Sequence, residues 1–347
     1  MNPSRASPLA VIGSVVSTGR WLLPCCWSDD VCGTVCPSGP PRFHTLPDIQ
    51  PPVDGGAPGY SDRMGRVTSR VRTVRVDISD VASHPVVTRP DTVVVEEPLA
   101  IRVGGEVLTV TMRTPGEDFS LAMGLLVSEG LIGSAEDVVS MLHCVDTEGA
   151  DGSGSPTYNV VDVTLRAGLA APAVTSLRSL VATSGCGLCG AASIDAIRHR
   201  AGTDVSLDEA RWPAATVAGW PEQLRARQQV FDRTGGVHAA GLVTPSGELA
   251  FVHEDVGRHN AVDKVVGSAL RAGLVPPLRG HALVVSARAS VELVQKAYLA
   301  GIPLLAAVSA PSSLAVELAA QTGLTLVGFV RSPRMVVYAG AQRVSPP

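Results

Sequence analysis

The sequence predicts an α/β protein, with a helix-covered sheet in its second half preceded by a smaller part richer in β-structure. Three observations predict it. From Leu283 to Val330, short buried β-type runs alternate strictly with single amphipathic helices. Such a pattern requires crossover connections and hence parallel strands. Two pairs of β-type runs are joined by short glycine-bearing links and read as hairpins. Aromatics supply only 4% of a 347-residue chain that is 45% hydrophobic, so Ala, Val, Leu and Gly must fill the cores.

Residues 1–63 lack periodicity and are rich in Pro, Gly and Ser, with breakers at Pro37–Pro41 and Pro51–Gly59. They are read as a disordered extension or an over-called start before Met64. The apolar run Leu9–Val16 behind Arg5 has the outline of a secretory signal but is short and broken by Gly13 and Ser14. Residues 64–170 are read as the smaller α+β subdomain. Val71, Val74, Val76 and Ile78 mark a strand, and Leu99–Val103 with Val107–Met112 form a hairpin across Gly104-Gly105. Leu121, Leu125 and Leu126 space a helix from Glu117 to Glu129, stopped by Gly130, and Asn159–Leu165 alternates as a strand.

Residues 171–347 form the larger α/β domain. Val237–Val243 and Glu248–Glu254 flank Pro245-Ser246-Gly247 as a second hairpin. Within Asn260–Gly273, Val262, Val265, Val266, Ala269 and Leu270 make the stripe that a helix lays on a sheet. Strand Leu283–Ser286, helix Val291–Ala300, strand Pro303–Ser309, helix Ser312–Gln321 and strands Thr325–Val330 and Met335–Tyr338 complete the chain. Ligands of such sheets bind beyond the carboxyl ends of strands. Here that rim is Ser286-Ala287-Arg288, Ser309-Ala310-Pro311 and Arg331-Ser332-Pro333-Arg334.

A formal charge of -4 argues against nucleic acid or anionic membrane as a partner, and no run reaches the length of a membrane helix. Of seven cysteines, four crowd into residues 25–36, and only Cys144, Cys186 and Cys189 lie in patterned sequence. That is no disulfide framework, and it points to a reducing cytoplasm.

Cys186 and Cys189 form a Cys-x-x-Cys flanked by Gly185, Gly187 and Gly190, ahead of an expected helix Ala191–Arg200. Only a thiolate attacks sulfur or binds metal, and backbone amides with a helix amino terminus lower a thiol pKa. A structural zinc site needs two more ligands, and neither His199 nor His238 has a recommending spacing, so no metal is expected. Nucleoside deaminase chemistry is excluded: none of the eight histidines is followed by x-Glu, and Gly185 rather than proline precedes Cys186. A dithiol redox site and persulfide transfer remain, and the local sequence does not separate them.

Several blocks together resemble the FdhD family of formate dehydrogenase accessory sulfurtransferases. They are Thr183–Asp195 (TSGCGLCGAASID), Thr234–Gly241 (TGGVHAAG), Glu254–Gly267 (EDVGRHNAVDKVVG), Val294–Gly328 and Val127-Ser128-Glu129-Gly130. The resemblance covers the chain from about residue 66 onward. It implies a cytidine-deaminase-like mixed sheet flanked by helices, with a smaller β-containing amino-terminal subdomain and a homodimeric state. It also implies that the protein takes persulfide sulfur from a cysteine desulfurase and passes it to bis-molybdopterin guanine dinucleotide for formate dehydrogenase. Carried onto this chain, Cys186 corresponds to the persulfide-bearing cysteine and Cys189 to a second cysteine acting as relay or assistant. Phe329, Val330, Arg331, Ser332, Pro333 and Arg334 correspond to the cofactor-binding segment, where arginines at a strand end suit pyrophosphate oxygens. Asp255, Gly257, Arg258, His259 and Asn260 either collect an anion at a strand-to-helix junction or serve as caps and fold-stabilising bonds. Gly235, Gly236 and His238 are second-ranked candidates for lining the same cavity, the glycine pair reading equally as a tight turn. The alternatives are a cofactor-binding chaperone without sulfur chemistry and, third, a dithiol oxidoreductase.

Overall fold

The computed structural model describes residues 67–79, 86–146, 157–169 and 204–346, all within one compact unit. The extension 1–63, the loop 151–156, both cysteines of the Cys-x-x-Cys and the expected helix Ala191–Arg200 lie outside the described residues.

A two-stranded antiparallel ribbon, β1 (Thr68–Val76) with β2 (Val86–Val94), comes first. Next, β3 (Glu97–Val103) and β4 (Glu106–Arg113) make the hairpin expected across Gly104 and Gly105, whose φ of 59° and 87° only glycine adopts freely. Helix α1 (Asp118–Ser128) follows, then β5 (Val138–Asp146) and β6 (Thr157–Leu165). The four strands pair in the order β4-β3-β6-β5, with β3 and β6 parallel.

The second sheet is built from β8 (His238–Val243), β9 (Leu249–Asp255), β10 (Ala282–Val285), β11 (Leu304–Ala307), β12 (Thr325–Arg331) and β13 (Arg334–Ala339). Its order is β13-β12-β11-β10-β8-β9. The sequence alternation predicts parallel strands, and β10, β11 and β12 are parallel; β13, β8 and β9 join antiparallel, so the sheet is mixed. The reason is connection length. Short turns join β8 to β9 and β12 to β13, whereas a parallel pair needs a crossover.

Helices cover both faces. On one side lie α4 (Arg258–Arg271), α5 (Val291–Leu299) and α6 (Ser313–Thr322), packed on Leu283, Val285, Leu305, Ala307 and Leu326. The alternate residues Ala282, Val284, Leu304, Ala306 and Val327 face α2 (Ala214–Arg225), whose Val217, Trp220 and Leu224 are fully buried. Trp220 donates from its indole N–H to the Gly247 carbonyl at 3.0 Å and meets Trp212 of β7 (Trp212–Pro213) edge-on at 5.8 Å. A short helix, α3 (Gln229–Thr234), then leads back to β8.

The two sheets share one apolar core because α1 packs tightly on α4. A Cβ at Gly124 would stand 1.9 Å from the Asp263 carbonyl oxygen, and one at Gly267 1.8 Å from that of Ser120. Only hydrogen at both positions permits that approach. Where β4 passes into α1, Arg113, 3% exposed, holds Asp118 through two bonds of 2.9 and 3.0 Å. At the far end of the chain β14 (Val344–Ser345) pairs with β7. Arg343 beside it is buried and donates to the carbonyls of Val205 and Asp208, to Gly323 O at 2.8 Å and to Thr325 Oγ1 at 3.1 Å.

Candidate functional site

The carboxyl ends of β10, β11 and β12 form one rim, as the alternation implies. The loops after β10 and β11 are stitched together, Ala289 donating to Ala310 O at 3.2 Å and Ser312 to Ala289 O at 3.0 Å. The Phe329 amide donates to Ser309 O at 3.2 Å. Phe329 itself takes a φ of 50°, rare for a side-chain-bearing residue, at an irregularity of the β12–β13 ladder between Gly328 and Arg331. Gly328 beneath it is required: a Cβ would meet the Tyr338 ring at 2.9 Å and Pro311 at 3.0 Å.

Arg331 and Ser332 stand between two cavities. The larger, of about 1030 Å³, is bounded on the rim by Ser286, Val308, Val330, Arg331 and Ser332. Gly235, Gly236 and His238 close a second wall, as the sequence places them. The smaller, of about 820 Å³, takes Phe329, Arg331, Ser332, Pro333 and Arg334 on one side and Ala214, Ala215 and Ala218 of α2 on the other. Of the six residues in the predicted segment, each therefore lines one cavity or both. Arg331 and Arg334 are exposed and stand in no ion pair among the described residues, which leaves both forks available to an anion. Of the other rim residues, Ser286 accepts a hydrogen bond from the Ala239 amide at 2.8 Å, whereas Arg288 lines neither cavity.

A third wall of the larger cavity was not foreseen. Leu224 of α2 and Phe231 of α3 provide its apolar side, with Arg225 stacked over the Phe231 ring at 4.8 Å. The signal was present: Val217, Trp220 and Leu224 fall at i, i+3 and i+7. Pro221 inside the helix masks it.

The Asp255–Asn260 junction divides between its two readings. Asp255 is wholly buried, accepting from the amides of Thr114 and Gly257 and pairing with Lys264 at 2.7 Å. Asn260 donates to Met112 O at 2.7 Å and to Asp255 at 3.1 Å. These two residues are therefore fold-stabilising bonds between the sheets. Arg258 and His259 are not part of that network and stand on the rim side with His238. Burial, and then the Arg258 charge, hold the His238 imidazole below its usual pKa. His259 is pushed down to about 4 by burial, Lys296 and Arg258, against the opposing pull of Glu292. Both imidazoles are thus neutral at neutral pH.

Among the described residues no three histidine, cysteine or acidic side chains gather as metal ligands, and no helix is long and apolar enough to cross a membrane. Cys144, on β5, is a free thiol. Cys186 and Cys189 lie outside the described residues, so their geometry against the rim is not part of this site.

Comparison with known proteins agrees with the resemblance. The model of the FdhD/NarQ family matches residues 94–345. A sulfur carrier protein FdhD of Streptomyces avermitilis is 54% identical over 283 residues, covering 81% of this chain and 97% of its own. The protein of the same name from Mycobacterium tuberculosis is 48% identical over 282 residues, covering 81% of this chain and 100% of its own. A crystal structure assigned as a formate dehydrogenase accessory protein of Desulfotalea psychrophila superposes with a TM-score of 0.61 at 24% identity, over 81% of this chain and 100% of that one, and supports the fold. A matched stretch that takes in every strand of both large sheets, and relatives alike along nearly their whole length, lead to one conclusion: this chain belongs to the FdhD/NarQ family.

Proposed function

We propose that this protein is a sulfur carrier, which takes persulfide sulfur from a cysteine desulfurase onto Cys186 and passes it to bis-molybdopterin guanine dinucleotide for formate dehydrogenase. The observation that carries this reading is the pair of cavities sharing Arg331 and Ser332 at the carboxyl ends of the parallel strands. A dinucleotide with two pterin arms is large, flat and polyanionic. The residues present suit it: two unpaired guanidinium forks for phosphate oxygens, an apolar wall of Leu224 and Phe231, and a glycine pair without side chains to obstruct it. The names of the relatives, sulfur carrier proteins, favour the same reading.

In the loading step the Cys186 thiolate attacks the terminal sulfur of the donor's persulfide. A new sulfur–sulfur bond forms at Cys186, the donor's sulfur–sulfur bond breaks, and the donor leaves as a thiolate that takes up a proton. The loaded sulfur is then surrendered to the bound cofactor as the Cys186 sulfur–sulfur bond breaks and Cys186 leaves as its thiolate, with Cys189 as relay or assistant. We read the carrier as a cytoplasmic homodimer, in keeping with its family.

Mass spectrometry after incubation with a cysteine desulfurase and cysteine tests the loading step. Cys186 should gain one sulfur atom; an unmodified Cys186 beside a persulfidated desulfurase overturns it. Cys186→Ser then separates carrier from chaperone: formate dehydrogenase activity should vanish, and its survival would leave the protein as a cofactor-holding chaperone.

A further inference from the structure

The ribbon of β1 and β2 is the least covered part of the fold. It pairs with no other strand among the described residues, and Val74, Val76 and Val87 stand 43%, 58% and 53% exposed. A two-stranded ribbon by itself is marginal in water, so nine residue pairs with aliphatic side chains in solvent call for a cover. Its two outer edges differ. The Val95 amide donates to the Val67 carbonyl at 2.9 Å, and bonding alternates along an antiparallel pair. Thr68, Arg70, Arg72, Val74 and Val76 therefore turn their amides and carbonyls away from β2, and the residues opposite, Thr88, Pro90 and Thr92 among them, turn theirs away from β1. Pro90 has no N–H to offer, which blunts the β2 edge at its middle. β1 contains no proline, and its outer edge meets no strand among the described residues.

The side chains along that edge say what it takes. Arg70 and Arg72 share one face with Val74 and Val76 and are exposed, in no ion pair among the described residues, whereas Arg75 on the other face holds Asp91 at 3.3 Å. A second copy laid antiparallel over the whole of β1 would set Arg72 against its own counterpart, a like-charge pair that disfavours self-association. An acidic strand meets no such penalty. At its root the ribbon is fixed beside the larger cavity: Arg233 donates to Thr68 Oγ1 at 2.9 Å, and Val94 lies against Gly236, where a Cβ would come within 3.1 Å of it.

We propose that the outer edge of β1 is a docking strand for a partner protein, which adds an extended segment with acidic side chains opposite Arg70 and Arg72 and aliphatic ones opposite Val74 and Val76. Backbone bonds give the affinity and these four side chains give the selectivity. The docking strand does not rest on the sulfur-carrier reading, since no cysteine and no residue of the 329–334 segment takes part in it. It sets a visiting protein beside the larger cavity.

The experiment measures fluorescence anisotropy of a labelled peptide, Thr-Val-Thr-Val-Thr-Glu-Thr-Glu-Thr, with the full chain, together with backbone amide hydrogen exchange. Binding should saturate and should slow exchange at Arg70, Arg72 and Val74. The same peptide with lysine for both glutamates should bind about tenfold more weakly, and Arg70→Glu with Arg72→Glu should reverse that preference. Val74→Pro, which removes one outward donor, should abolish binding, while Thr88→Pro, the matching change on the β2 edge, should leave it intact, each checked for an unchanged melting curve. Where either proline variant melts early, the charge reversal decides alone. Equal binding of the glutamate and lysine peptides, or unchanged exchange along β1, overturns the proposal. So does an edge whose amides are already protected in the chain alone, by its own amino-terminal residues or by a second copy.

Discussion

Two clusters of cations sit at the rim end of the larger sheet and differ in one respect. At the β9–α4 junction, Lys264 is 3% exposed and has both Asp255 at 2.7 Å and the Thr114 carbonyl at 2.8 Å. At the β12–β13 turn, Arg331 and Arg334 project into cavities without a carboxylate partner among the described residues. Around Lys264 the chemistry is closed, its charge answered inside the protein; at Arg331 and Arg334 it is open and awaits an answer from outside. Residue type alone does not distinguish the two, because both stretches read as charged turns at strand ends. Satisfaction of hydrogen bonds does.

The sharpest way to break the comparison is Asp255→Ala. It should cost about 3–5 kcal/mol in denaturant unfolding, because Lys264 is left charged and buried without its partner. Asn260→Ala removes the bonds with Met112 O and Thr111 Oγ1 that tie α4 to β4, and a third to Asp255, and should cost about 1–3 kcal/mol in the same measurement.

A smaller effect separates His259 from its saturated neighbours. Its imidazole takes up a proton at about 4 in the folded protein, against 6.5 when free. Between those values the unfolded chain binds more protons than the folded one, so stability rises with pH across that window. His259→Gln should flatten this part of the curve of unfolding midpoint against pH; an unchanged slope would show that other groups set it. Smallest of all, Arg331→Met with Arg334→Met should move stability by less than about 0.5 kcal/mol, as exposed unpaired side chains do. Guanine dinucleotide binding by the same variant should nevertheless fall by about tenfold or more.

Much of this was legible beforehand, for identifiable reasons. Gly104-Gly105 announced its hairpin because a two-residue turn demands positive φ, and the Val262–Leu270 stripe announced α4 because one face had to be apolar. Other elements hid. β2 carries Pro90 and lies in a ribbon with little burial to impose alternation, and β5 interrupts its apolar residues with Ser140 and His143. The site was half legible. The 329–334 segment came from the family resemblance, with strand-end logic behind Arg331 and Arg334 alone, and the glycine pair came from its motif block. The wall from α2 and α3 required knowing that a proline-bearing helix folds back over the rim. That Asp255 and Asn260 are structural could not be told from sequence, since their partners Thr114, Met112 and Lys264 are brought to them only by the packing of two sheets.

Arg343 has a consequence for the order of events in the cell. It follows every strand of both large sheets in the chain, yet fastens residues 205–208, which precede β7, α2 and the whole larger sheet. A ribosome therefore releases that arginine after both sheets have been synthesised. Residues 205–208 are bolted only at that late stage, and a truncation just ahead of Arg343 would leave them unmoored while every strand of the two sheets had already been made.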